Sequence, residues 1–351
     1  MGRHLTVIGS RPNEMPAQFA RDGLPPLVDH LGRSYDYLRF SVTDRCDFGC
    51  VYCMPNGGEA DHALRPELLN FEEAARVIVL FQQLGIRRVR FTGGEPLVRR
   101  DVVNLVELVH RRTGIDKLVM TTNANRLAEL ALPLRQAGLT GVNISLDSLD
   151  AERFFAITRG GSLPRVIAGV HAALAAGLDV KLNIVALGGI NDDEAGRLVD
   201  WAWDHGITPR FIELMPLGEA SKLPRERFVT HAQLIARLGE RIVDHTMQGV
   251  AGNGPARYLA GQRGRVGFIT AVSDEFCAAC NRVRVTARGD VRACLASRSG
   301  VSLRDAMRSG ADDRELAWLV HSALGSKLVG HFFTDDEYEE HRNVGMSLVG
   351  G

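Results

Sequence analysis

The chain has 351 residues, and its 42 Lys plus Arg balance its 42 Asp plus Glu. That length carries about two domains or one large barrel, and 45% apolar with 24% charged residues describes a globular chain rather than a disordered one. Zero net charge excludes a broad basic surface for nucleic acid or acidic membranes, and without a run of ~18 apolar residues no spanning helix is expected. The amino terminus lacks the basic-then-apolar pattern of a secretory signal, so a cytoplasmic location is expected.

In chain order, residues 1–33 carry Pro12, Pro16, Pro25 and Pro26 without apolar periodicity and read as an irregular lead-in. Strands are predicted near 36–42, 87–92, 116–122, 141–147, 179–186 and 208–214. Helix-period segments lie near 71–84, 101–112, 127–137, 164–176, 192–205 and 230–240. Six βα units in succession mean a parallel sheet, over residues 34–245. From about 246 the chain becomes Gly-rich with short strands, among them 264–272, and a smaller second domain is expected over 246–351.

The strands alternate, whereas parallel strands covered on both faces read as continuously apolar. Leu38, Phe40 and Val42 oppose Arg39, Ser41 and Thr43; Val89 and Phe91 oppose Arg88, Arg90 and Thr92. Val142, Ile144 and Leu146 oppose Asn143, Ser145 and Asp147; Val180, Leu182 and Ile184 oppose Lys181 and Asn183. The apolar face packs on helices, so the polar face looks inward. Either this is an open sheet with one wetted face, or it is an α/β fold of the incomplete (βα)6 TIM-like barrel kind whose polar cavity holds a charged ligand.

All six cysteines fall in two trios. Cys46, Cys50 and Cys53 form C-x3-C-x2-C just after the first strand. Three thiolates on one loop suit a cubane iron–sulfur cluster with one iron open, where a structural zinc wants four closed ligands. Cys277, Cys280 and Cys294 form C-x2-C-x13-C, which alone fits a zinc ribbon short of one ligand as well as a cluster. Between them, alternation aims Arg282 and Arg284 to the same side.

With Tyr52 before its third cysteine, the first motif resembles the radical S-adenosylmethionine superfamily. Within it the chain resembles the GTP 3′,8-cyclase family, which opens molybdenum cofactor (molybdopterin) biosynthesis. The likeness runs from about Leu27 to the last residue, through GRSYDYLRFSVTDRC, CVYCMP, RFTGGEPLVRRD, NISLDSLD, RFIELMPLG, FCAACNRVRVTARGDVRACL and the terminal Gly350-Gly351. The resemblance implies a lyase with two [4Fe–4S] clusters, one on Cys46, Cys50 and Cys53 and one on Cys277, Cys280 and Cys294 in the smaller domain. S-adenosylmethionine would bind the first, cradled by Tyr52, Gly94, Ser145 and Met215. GTP would bind with its purine on the second, contacting Arg39, Arg90, Thr121, Lys181 and the Arg282-Val283-Arg284 segment. Gly350 and Gly351 would enter the cavity as a catalytic tail.

The implied reaction is reductive cleavage of S-adenosylmethionine, hydrogen abstraction at ribose C3′ of GTP, and attack on guanine C8 to give (8S)-3′,8-cyclo-7,8-dihydroguanosine 5′-triphosphate. Implied partners are a low-potential electron donor such as flavodoxin or ferredoxin, and cyclic pyranopterin monophosphate synthase as the next enzyme; monomer and homodimer both stay open. The sequence departs from the family pattern at Asp47-Phe48-Gly49, at Ala124 where glycine is usual, and at Leu348-Val349. Two other readings compete: a two-cluster radical enzyme modifying a peptide, disfavoured by the absence of spare cysteines, and a non-enzymatic zinc or nucleic-acid module, disfavoured by the neutral charge.

Overall fold

Six strands form near the predicted positions. β1 (Tyr37–Ser41), β2 (Arg88–Thr92), β3 (Lys117–Thr122), β4 (Gly141–Ser145), β5 (Asp179–Val185) and β6 (Thr208–Ile212) pair in sequence order, all parallel. The computed structural model describes residues 19, 23–55, 62–249, 254–297, 300–331, 333, 345 and 346. Leu38, Phe40, Val89, Phe91, Val142, Ile144, Leu182 and Ile184 are buried in one core with the helices, each burial contributing about 1.5–3 kcal/mol.

The connecting helices are α1 (Phe71–Gln83), α2 (Val102–Arg112), α3 (Leu127–Gln136), α4 (Ala151–Thr158), α5 (Leu163–Ala175) and α6 (Ala195–Asp204), with α7 (His231–Leu238) after β6. α1 starts at a reciprocal cap: the Glu73 N–H donates to the Asn70 side chain at 2.8 Å, and the Asn70 N–H donates to the Glu73 carboxylate at 2.9 Å. α4 is missing from the periodicity reading. It is short, and Asp150 caps it by accepting from the Arg153 N–H at 2.8 Å.

The expected boundary at 245/246 falls inside a strand, β7 (Ile242–Gly249). The trailing part extends the same sheet at both edges. β9 (Arg265–Ile269) joins β6 in parallel and carries β8 (Arg257–Gly261) and β7 outward. β10 (Arg282–Val285) joins β1 in parallel and carries β11 (Asp290–Arg292) and β12 (Val301–Ser302). Among the described residues the sheet has twelve strands, in the order β12-β11-β10-β1-β2-β3-β4-β5-β6-β9-β8-β7. The physical reason is that β1 and β6 are otherwise unpaired edges with apolar rows. Phe268 of β9 stacks on Phe211 of β6 at 6.0 Å, and Val283 of β10 is fully buried beside Leu38 in register. Residues 270–281 therefore run from one edge of the six-stranded sheet to the other, and they carry Cys277 and Cys280. Two further helices follow, α8 (Leu303–Arg308) and α9 (Asp313–Gly325).

Within the lead-in, described residues 23–33 hold no helix or strand, only a bridge between Val28 and Ser34. They are nonetheless anchored, with Leu27 buried and its N–H donating to the Leu84 carbonyl at 3.0 Å.

Candidate active site

The first trio sits on the loop leaving β1. That loop is held on one side by the turn after β2, where the N–H of Gly94 donates to the Thr43 carbonyl (2.9 Å) and that of Glu95 to the Arg45 carbonyl (2.8 Å). A Cβ on Gly93 would lie 2.4 Å from the Thr43 oxygen, and one on Gly94 2.4 Å from the Arg45 oxygen. The glycine pair thus makes room for the cysteine loop's own backbone. On the other side α4 accepts two bonds, Gly49 N–H to Thr158 and Val51 N–H to Ile157, both 2.9 Å.

Cys46, Cys50 and Cys53 line a cavity with Tyr52, Gly94, Ser145 and Met215. Three carboxylates line it too, Glu95, Asp147 and Glu213, with no lysine or arginine among its described lining residues. The Tyr52 hydroxyl donates to Asp147 at 2.7 Å, and the Val185 N–H donates to the other carboxylate oxygen at 2.8 Å. Burial still lifts Asp147 to about 6, outweighing those bonds. Glu95 accepts from the N–H groups of Leu97 (2.9 Å) and Asn123 (2.6 Å) and from the Thr122 hydroxyl (2.7 Å), yet burial raises it to about 7. Burial likewise pushes the Cys46 thiol up to about 12.

The second trio lines an adjoining cavity of opposite character. Six arginines (33, 39, 90, 210, 282 and 284) and Lys327 line it, with no carboxylate among the described lining residues. Arg39 and Arg90 arrive from β1 and β2 as strand parity required. Arg90 donates to the Tyr37 hydroxyl at 2.5 Å and to Thr121 at 3.2 Å. Burial, and then the charges of Arg284 and Arg90, push Arg39 well below the usual guanidinium range. Burial, with Arg282 beside it, takes Arg284 to about 10. The Nε atoms of Arg39 and Arg210 are buried without hydrogen-bond partners. Buried cations without counter-charge are held at a cost unless an anion joins them. Cys280 accepts from Lys327 Nζ at 3.2 Å and from Arg282 at 3.4 Å; burial would raise its thiol, and these two charges instead bring it to about 6.

Thr121, Asn183, Ile212, Met215 and Met346 line both cavities, which are therefore neighbouring halves of one interior. Two candidates fall elsewhere. Lys181 is on the inward face but at the start of β5, where its ammonium pairs with Asp179, and it lines neither half. Val283 turns its side chain into the core, so only its backbone faces the arginines. Gly350 and Gly351 lie outside the described residues. Sequence reasoning passed over Arg210, whose parity on β6 matches that of Arg90 on β2. It also passed over Glu95, which lies just beyond the end of β2 on the inward side, and over Arg33, Lys327 and His331, which no periodic signal marks; Asp147 it placed on the inward face without a role.

All six cysteines are free thiols. A single zinc at ~2.3 Å from each sulfur would draw three sulfurs to within about 3.8 Å of one another. Among the described residues, only Glu275, Cys277 and His331 bring three donor atoms within 4.8 Å, and neither trio closes that far. Each trio thus fits a larger inorganic group with thiolate ligands better than one ion.

The sequence model of the Radical SAM superfamily matches residues 40–202, and that of Molybdenum Cofactor Synthesis C matches residues 207–333. The GTP 3′,8-cyclase of Heliobacterium modesticaldum is 46% identical over 93% of this chain and 100% of its own length. That of Paracoccus denitrificans is 44% identical over 95% of this chain and 98% of its own. The chain belongs to the GTP 3′,8-cyclase family. Among solved structures, Streptococcus suis SuiB bound to S-adenosylmethionine superposes with a TM-score of 0.63 over 83% of this chain and 68% of that one, at 16% identity. At that identity the likeness concerns the fold: a radical SAM partial barrel.

Proposed function

We infer that this chain is a GTP 3′,8-cyclase, a radical SAM lyase that converts GTP to (8S)-3′,8-cyclo-7,8-dihydroguanosine 5′-triphosphate in the first step of molybdenum cofactor biosynthesis. The observation that carries this reading is one interior with a cysteine trio in each half, acidic around the first and cationic around the second. A triphosphate suits the cationic half, and a cationic sulfonium with an amine suits the acidic one.

Cys46, Cys50 and Cys53 are assigned to one [4Fe–4S] cluster, and Cys277, Cys280 and Cys294 to the other. With S-adenosylmethionine on the first, these groups supply one-electron chemistry and a carbon-centred radical. The protein's own residues orient and shield. Tyr52 and Asp147 brace the first loop against β5; Glu95, Ser145 and Met215 wall the S-adenosylmethionine half. Arg39, Arg90, Arg210, Arg282 and Arg284 would grip the triphosphate through guanidinium forks, fixing the ribose toward the shared wall of Thr121, Asn183 and Met215. Lys181 joins them only if the substrate draws it from Asp179. Met346, four residues before Gly350, lines both halves and supports entry of the Gly350-Gly351 tail there.

The reading calls for a low-potential one-electron donor of the flavodoxin or ferredoxin kind and hands its product to cyclic pyranopterin monophosphate synthase. Cluster-ligating thiolates call for a reducing, cytoplasmic setting, and no helix among the described residues is long and apolar enough to cross a membrane. The deciding experiment is anaerobic incubation of the reconstituted protein with GTP, S-adenosylmethionine and a strong reductant. A product isomeric with GTP, formed with 5′-deoxyadenosine, is expected. Cleavage of S-adenosylmethionine that GTP neither accelerates nor diverts into such a product would refute the reading.

A further inference from the structure

Lys327 lies just beyond α9, on the wall of the cationic half, and it is 4% exposed. A buried ammonium needs acceptors for three N–H bonds and some negative charge nearby. No carboxylate of the described residues lies within ion-pair distance of it. Its partners are the Cys280 sulfur at 3.2 Å and the Arg282 carbonyl at 3.2 Å, with the Tyr35 ring face 4.6 Å away. The negative group that Lys327 faces is therefore a cysteine thiolate assigned above as a cluster ligand.

This placement is supported from behind. Arg33 donates to the carbonyls of Cys277 (3.2 Å), Leu328 (3.1 Å) and Lys327 (3.4 Å), which ties the cysteine segment to the lysine segment. Asp29 in turn fixes Arg33 at 2.6 Å and accepts from the Tyr35 hydroxyl at 2.7 Å. The cavity of the first trio offers the contrast: three carboxylates and no cation among its described lining residues.

We propose that Lys327 is a positioning residue that raises the reduction potential of the cluster on Cys277, Cys280 and Cys294 by donating a charge-assisted hydrogen bond to the Cys280 sulfur. The proposal rests on the two-cluster reading. Reduction adds one electron to the cluster and its thiolates, and a fixed ammonium on a sulfur stabilises the added charge. The second cluster then takes its electron at a higher potential than the first, which sits among carboxylates.

The test is a mediated redox titration of the reconstituted holoenzyme followed by electron paramagnetic resonance, with iron counted per chain. In Lys327→Met the midpoint of the second cluster is expected to move to lower potential while that of the first stays in place. Lys327→Arg should restore most of the shift. Should Lys327→Met assemble fewer clusters, Lys327→Gln, which keeps a donor without the charge, is titrated instead, and the same downward shift is expected. About eight irons with an unmoved second midpoint would overturn this proposal alone, whereas a parent holding only about four irons would overturn the two-cluster reading beneath it.

Discussion

Arg39 of β1 and Arg284 of β10 are register partners on adjacent parallel strands, both facing the same cavity, whose described lining residues include no carboxylate. Two like charges at that spacing oppose the sheet that carries them. The repulsion within this pair is one that a bound polyanion would lessen. Arg39→Met should stabilise the ligand-free protein by about 1–3 kcal/mol while weakening GTP binding roughly 10- to 100-fold. Thermal unfolding with and without GTP reads both effects. A variant that loses stability and keeps GTP affinity would remove Arg39 from the site.

Gly94 is a second point of leverage. A Cβ there meets the Arg45 carbonyl at 2.4 Å, backbone that cannot swing aside. Gly94→Ala should push the first cysteine loop off the β2 turn and leave the second trio undisturbed. After anaerobic reconstitution the variant should hold about half of the parent's iron. Full iron with two intact cluster signals would show that the loop has more slack than the packing allows.

Asp147 gives a pH dependence whose sign is fixed. Its folded value of about 6 stands above the ordinary 3.8, so between those values the folded state holds more protons than the unfolded. Stability then falls as pH rises through that window. Asn keeps an acceptor for the Val185 N–H and can bond to Tyr52 without a buried charge. Asp147→Asn should therefore gain on the parent as pH goes from 4 to 8, measured as the difference in melting temperature of the cluster-free proteins. A difference that is flat with pH would contradict the burial argument.

Ala124 follows β3 with φ of 60°, in the left-handed region. The turn that a glycine would make is kept, with alanine carrying the strain, about 1–2 kcal/mol for a residue with a Cβ. Gly169 of α5 lies against it, where an added Cβ would be 2.6 Å from the Ala124 carbonyl. Ala124→Gly should stabilise by up to about 1 kcal/mol once the extra freedom of the unfolded chain is counted. Denaturant unfolding of the two proteins measures it, and a loss of stability would mean that the Ala124 methyl packs favourably.

The six strands and the inward face were legible because period-2 alternation is local and strong, and the helices apart from the short α4 followed from the 3.6-residue period. Parity named Arg39 and Arg90 correctly as cavity residues. It named Lys181 by the same logic, but parity gives the face of a side chain and not its height along the strand, and Lys181 stands near the amino end of β5, paired with Asp179. The pairing of β10 with β1 leaves no local trace, so the sequence does not tell that the trailing residues also extend the sheet at both edges. Arg33, Lys327 and His331 reach the second trio only through that packing, which is why motif and period passed over them.

Because β10 closes against β1, a first-made strand waits for a late one. Leu38 and Phe40 keep an open edge until residues 282–285 have been synthesised, roughly 10 to 50 s later at ordinary rates of translation. A six-stranded sheet formed before that point would carry a free apolar border of the kind that pairs with its neighbours. Yield in the cell should then be limited by late closure and protection of that border more than by the final stability of the folded enzyme.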